Sequence, residues 1–440
     1  MRGRNFKKAV RSLLCLSGIV AASLGCASPA SANPGQLDRT FGDNGKVVAF
    51  RGAGPAYWGS IHLVRTPGGR ILVAVSHKVL RYLPDGKRDP SFADDGVLDV
   101  EVAKPPSYQG LSGLAVDPAG RIVTATNNAQ AEVEIRRYLP DGTPDPTFGA
   151  GTGVVETTFG LPPPTPLGAS ERPFVFATAV AIDQSGRILV SGITDRRFAY
   201  ETEGGGFVAR LAPTGALDES FGNGGTVVIE EPISDRAESL ILDPAGGPIF
   251  LGKDPEYRGE PGLGSAVIRL TSGGAPAVFG EGGYARIPGD SSGSLALDSS
   301  GRILATAGRF VTRLLPSGGP DRSFGRAGRT ADLQGGKWSQ LLGLALAGDG
   351  TILVVGSRVH KVKGLGILRR QLVVYRLSAR GHLDTGFGRR GSAAGQPQRA
   401  TSGSSAANLV GKDLVLDGRG HVIAAGAEGE ALVLYRFDLR

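Results

Sequence analysis

A thirteen-residue tract, repeated with variation, limits what this chain can fold into more than any other feature. Its fullest form is RYLPDGTPDPTFG, from Arg137 to Gly149. Related copies begin at Arg81 (RYLPDGKRDPSFA), Arg210 (RLAPTGALDESFG), Arg269 (RLTSGGAPAVFG), Arg313 (RLLPSGGPDRSFG) and Arg376 (RLSARGHLDTGFG). The chain ends supply two halves, LDRTFG at Leu37–Gly42 and YRFDLR at Tyr435–Arg440, which joined together make a seventh copy. A chain repeated in this way is one array of like units, not a set of unrelated domains.

Each unit reads as four strand-like runs of about five to seven residues, alternating or apolar and bounded by Gly, Pro and Asp. In the second unit these are Gly113–Asp117, Arg121–Thr126, Glu132–Leu139 and Gly153–Thr158. The first two form a hairpin whose turn recurs seven times, as in VDPAGRIVTAT from Val116 and LDSSGRILATA from Leu297. Asp bonds its own backbone two residues on, and Gly supplies the positive φ of the tight turn. The tract's phenylalanines (Phe41, Phe92, Phe148, Phe221, Phe279, Phe324, Phe387) recur at intervals of 45 to 73 residues. Four antiparallel strands at that period predict an all-β, seven-bladed β-propeller. The split copy predicts closure: three strands of the last blade from the C-terminus, at Asp413–Asp417, His421–Gly426 and Ala431–Phe437, and its outermost strand from Lys46–Phe50.

The N-terminus has the pattern of a secretion signal. Arg2, Arg4, Lys7, Lys8 and Arg11 precede an apolar stretch, and Ala30-Ser31-Ala32 forms a small-residue cleavage site. The expected division is therefore a signal peptide over residues 1–32 and a propeller over 33–440, secreted or held at the cell surface. Lipid anchoring at Cys26 is a weaker alternative. Cys15 and Cys26 are the two cysteines, so an exported chain cut after Ala32 would have no thiol chemistry. Removing five of the eight excess positive charges would leave +3, which gives no case for nucleic-acid binding. No apolar run reaches the length of a membrane helix. A monomer is expected.

Through the paired signatures D-x-x-G-R-I-L-V and L-x-P-x-G-x-x-D-x-x-F-G-x-x-G, residues 36 to 440 resemble the delta-60 repeat family of bacterial exported proteins. They are also similar to NHL-type propeller repeats. The resemblance implies a propeller-like surface or secreted protein and brings no catalytic motif. Blade one departs with Thr66-Pro67 in place of Asp-Pro, the Arg269 tract lacks the second Asp, and Ser392–Gln396 is poor in strand formers.

A residue type that recurs in every blade serves something every blade needs. The phenylalanines are read as plugs between blades, and the tract arginines as partners of a turn acid or carbonyl. The hairpin acids (Asp117, Asp183, Asp243, Asp298, Asp417) invite a calcium reading, but one acid per blade does not supply six to eight converging oxygens. No cofactor or metal is expected.

Function is expected on the opposite face, where the segments do not repeat: 51–60, 104–110, 160–176, 195–206, 253–264, 333–340 and 357–370. Binding of a protein or glycan partner would use Tyr57, Trp58, Tyr108, Arg197, Tyr200, Tyr257, Arg258 and Trp338, because exposed aromatics and arginines on a rigid ring are the usual anchors. The competing reading is a hydrolase, lyase or lactonase with a metal or carboxylates at the channel mouth. Five histidines, no HExxH and no phosphate loop give catalysis little support. Glu201 and Glu203 read as a charged loop rather than an acid–base pair.

Overall fold

The structure, a computed structural model, describes residues 33–51, 61–101, 110–128, 132–161, 174–198, 201–229, 237–254, 264–289, 293–333, 340–361, 368–395, 398–399, 411–428 and 431–440. All of these belong to one compact unit, Asn33–Arg440.

Seven antiparallel sheets follow one another, and in all but the closing one the strands lie in sequence order. Blade one runs through His62–Arg65, Ile71–Val75, Lys78–Tyr82 and Val97–Asp99. The innermost strands of consecutive blades touch, and His62–Arg65 of blade one also touches Gly411–Leu416 of blade seven, so the ring is closed. The closing blade has the predicted construction. Gly411–Leu416, His421–Glu428 and Ala431–Asp438 come from the C-terminal end, and Lys46–Arg51 pairs outside them. In blade five the outer edge is reduced to a bridge between Thr312 and Arg329. In blade six the outer strand is only Ser392–Ala394, where the sequence is poor in β-formers.

Seven hydrophobic clusters fill the seven blade boundaries. Alternation along each strand sends side chains to both faces of a blade, and each blade is sandwiched between two others. Both sets are therefore buried, as in the wholly buried strands Ile71–Val75 and Ile303–Ala307.

The tract arginine joins neighbouring blades. Arg137 donates through Nε to Asp145 Oδ2 at 2.7 Å and through Nη2 to Thr147 Oγ1 at 2.8 Å, and its guanidinium stacks over the Phe148 ring. Its Nη1 donates to the carbonyl of Pro213, in the turn of the next blade. The same reach recurs from Arg81 to Pro140, Arg210 to Ser272, Arg269 to Pro316, Arg313 to Ala379 and Arg376 to Leu439. Arg436 completes the ring by reaching Pro84 of blade one. Phe41, Phe92, Phe148, Phe324 and Phe387 each lie under their arginine and against a glycine of the next blade. A Cβ on Gly142 would stand 2.9 Å from the Phe92 ring, and the residue's φ of +96° is itself one that L-residues avoid.

Blade four shows what happens when the pattern is cut. Ala277 stands where the tract acid belongs, and Arg269 turns instead to Asp243 of its own hairpin, at 2.8 Å.

Replacing Arg137 by Ala would leave the Asp145 carboxylate buried without its cation, and a loss of about 3–5 kcal/mol is expected in urea unfolding. Arg269→Ala, at a more exposed site, should cost about 1 kcal/mol. Equal effects of the two would contradict the clamp.

Candidate functional site

The two faces of the ring are built differently. On one, the hairpin and tract turns are closed by their own residues. Asp117, for example, accepts the Arg121 backbone N–H through Oδ1 at 2.8 Å and the Arg121 guanidinium through Oδ2 at 2.6 Å. Asp183 with Arg187 and Asp298 with Arg302 repeat that geometry. These acids are turn supports.

On the opposite face, two of the segments expected as irregular loops, 195–206 and 357–370, instead carry strand pairing at their described residues. Strands Ile188–Phe198 and Glu201–Leu211 of blade three pair without interruption from Ile188–Leu211 out to Phe198–Glu201. Ile352–Lys361 and Leu368–Leu377 of blade six do the same out to Lys361–Leu368. Blade one's equivalent hairpin ends at Val75–Lys78. Thr, Phe and Tyr in the 195–203 segment suit a strand, so the ladder simply continues past the body of the blade. Five or six extra residues at about 3.3 Å each project roughly 15–20 Å.

Of the expected binding residues, Arg197 lies on this projecting hairpin, paired in register with Thr202. Glu201 and Glu203 are strand residues of the same hairpin. Tyr57, Trp58, Tyr108, Tyr200, Tyr257, Arg258 and Trp338 lie outside the described residues.

Sequence reasoning passed over one ring of positions at the start of the innermost strands, on this same face. Matched by their pairing to the second strand, the seven positions are His62, Gly113, Ala179, Ser239, Ser294, Gly343 and Asp413. Five are small, which lets the next blade's backbone come close. A Cβ on Gly343 would sit 3.0 Å from the Asp413 Cα. The two chemically capable residues stand on adjacent blades, on either side of the closure seam.

Asp413 accepts the Leu63 N–H across that seam and the Leu414 N–H within its own strand, each at 2.8 Å. Loss of water pushes its carboxyl up to about 7 despite these two donors. His62 is pushed down to about 4 by desolvation and by the nearby Lys412 cation, and its Nε2 is buried without a hydrogen-bond partner. Only the pairing register shows that these two fall at one level, so motif inspection had no signal for them.

Elsewhere, a cleft of about 520 Å³ opens between blades four and five, with Glu281, Tyr284, Arg286, Arg326 and Arg329 among its lining. Among the described residues, one group with metal-ligand chemistry converges, at Asp38, His421 and Asp438 on the face of stereotyped turns. No helix among the described residues is long and apolar enough to cross a membrane.

This architecture defines the class: a seven-bladed β-propeller closed by its own termini. A family model described as "Domain of unknown function (DUF5122) beta-propeller" matches residues 120–148 and 184–221, which lie in blades two and three. No match was found among curated proteins. Solved structures similar to the chain include a gluconolactonase from Xanthomonas campestris (13% identity, 93% of this chain and 96% of that chain, TM-score 0.38). Others are a glucose dehydrogenase (13%, 73% and 95%, TM-score 0.36) and the PQQ-bound aldose sugar dehydrogenase of Streptomyces coelicolor (14%, 74% and 93%, TM-score 0.33).

The two seam residues predict opposite pH dependences. Asp413 binds its proton more tightly when folded, so its contribution is complete below about pH 4 and is lost as pH rises through about 7. His62 binds its proton less tightly when folded, so its contribution is present above about 6.5 and is lost as pH falls towards 4. Unfolding followed from pH 4 to 8 should show Asp413→Asn removing a falling component and His62→Gln a rising one. Identical pH profiles for both variants and the parent would refute this.

Proposed function

We propose that the protein is an exported binding scaffold, of the delta-60 repeat type, that engages a protein or glycan partner with the face bearing the long hairpins of blades three and six. The observation that carries this reading is the asymmetry of the ring. The turns of one face are tied up by repeated Asp–Arg contacts within the fold, whereas on the other the hairpins of blades three and six run on as projecting ladders. Rigid scaffolds place recognition on such variable segments. Arg197 belongs to one of these ladders, and the tyrosines, tryptophans and arginines that the sequence assigns to this face have the chemistry of anchors.

A second reading, catalysis at the channel mouth, draws on Asp413 and His62, since shifted titrations at one level of adjacent strands are a feature of functional sites. The two backbone N–H groups already bonded to Asp413 favour an inter-blade support instead. Export is the reading that the N-terminal pattern supports, and the secreted form should begin at Asn33 when its N-terminus is sequenced.

The combined variant Trp58→Ala, Trp338→Ala and Tyr200→Ala should fold with an unchanged melting temperature. In binding to a glycan array, or to proteins captured from the cell envelope, it should lose at least tenfold in affinity. Undiminished binding by this variant would remove the irregular face as the recognition surface.

A further inference from the structure

The clasp that closes the ring differs from blades one, two, three and five in one chemical respect. Where the hairpin turn of blade seven ends, His421 stands at the place held by Arg70, Arg121, Arg187 and Arg302 in blades one, two, three and five. In those blades the guanidinium sits among turn carboxylates. Arg302 lies 2.6 Å from Asp298 and 3.6 Å from Asp321, Arg121 lies 2.6 Å from Asp117 and 4.0 Å from Asp145, and Arg70 lies 3.1 Å from Asp89.

At the clasp the permanent cation is gone and an acid has been added. His421 Nδ1 is 2.6 Å from Asp417 Oδ2, while Nε2 faces Asp38 Oδ2 at 3.4 Å and Asp438 Oδ1 at 3.3 Å. Asp438 is peculiar to this blade, because the other tracts have Leu, Ala, Thr or Ser there. Three carboxylates thus surround one imidazole, and Arg436 is in ion-pair contact with one of them, Asp38.

A second observation comes from Arg436. In five other blades the tract arginine holds its acid through Nε. Arg436 instead reaches Asp38 Oδ2 with Nη2, and its Nε is buried without an acceptor although the residue is only 5% exposed. The Asp38 oxygen that should satisfy Nε is displaced from its usual place and lies beside His421 and Asp438. Asp38 Oδ1 remains committed to the Thr40 N–H and hydroxyl.

We propose that Asp38, His421 and Asp438 bind a divalent cation of the zinc class, which ties the N-terminal segment to the last strand of the chain. Metal–ligand bonds of 2.0–2.2 Å in a tetrahedron require ligand atoms about 3.3–3.5 Å apart, and both measured separations from Nε2 fall in that range. Asp417 accepts a hydrogen bond from Nδ1–H and so presents the Nε2 lone pair to the site, the arrangement that orients histidine ligands. Solvent supplies the fourth ligand. The cation restores the positive charge that arginine provides in the sister blades, and the two ends of the chain become its ligands.

The test uses the purified chain after EDTA dialysis, titrated with Zn²⁺ alone and followed by calorimetry and thermal unfolding. One ion should bind per chain and raise the melting temperature, and Co²⁺ in its place should give the visible absorption of a tetrahedral site. Asp438→Asn should weaken zinc binding at least tenfold. His421→Arg rebuilds the sister-blade geometry, so it should fold stably, fail to bind zinc and melt at the same temperature with or without EDTA. Absence of stoichiometric zinc binding, or equal binding by His421→Arg and the parent, would overturn the proposal. So would a clasp whose stability responds to pH and not to zinc. None of these outcomes depends on what the irregular face binds.

Discussion

The rest of the ring depends on a hydrogen bond from a buried guanidinium to a carbonyl of the next blade. A four-stranded blade has two apolar faces and cannot bury either alone, so its stability comes from its neighbours. Hydrophobic contact brings blades together but is non-directional. The tract arginine supplies direction. It is held by its own Asp and Phe, and its remaining Nη1 points at one carbonyl in the following turn, blade after blade. The turn must bring that carbonyl within reach while its glycine clears the preceding phenylalanine, which accounts for the L-x-P-x-G spacing.

A ring built this way is only as strong as its last bond. Arg376 reaches Leu439, and Arg436 reaches Pro84, so the two links that involve the closing blade use residues from the chain ends. Asp38 serves Arg436 in trans to its own strand, as Asp145 serves Arg137 in cis. Splitting a blade between the termini converts seven local contacts into one cooperative circle, because no blade can leave without opening the clasp. The same repetition divides the molecule into a face that maintains the ring and a face free to vary.

Much of this was legible in the sequence. The blade count, the split blade and the roles of arginine and phenylalanine follow from residue types that recur in phase. Weak spots were legible too: the missing acid after Arg269 and the poor strand formers after Gly391 correspond to the rerouted arginine and the shortened outer strand. The hairpins at 188–211 and 352–377 were not, because charged residues and glycines such as those in DRRFAYETEGGG look like loop when local composition is read without the partner strand. Pairing across Ile188–Leu211 sets a register that carries through Phe198–Glu201.

By itself the sequence determined the period, the strand alternation and the closure of the ring, since each is written in contacts between residues of one unit or in copies of one motif. Tertiary structure alone decided which unrepeated residues meet. His62 and Asp413 share a level only after the first and last blades are sealed, and Asp38, His421 and Asp438 converge only when the chain ends share a sheet. Repetition makes local chemistry readable from a single chain. Proximity across the seam depends on register and closure, which no local pattern encodes.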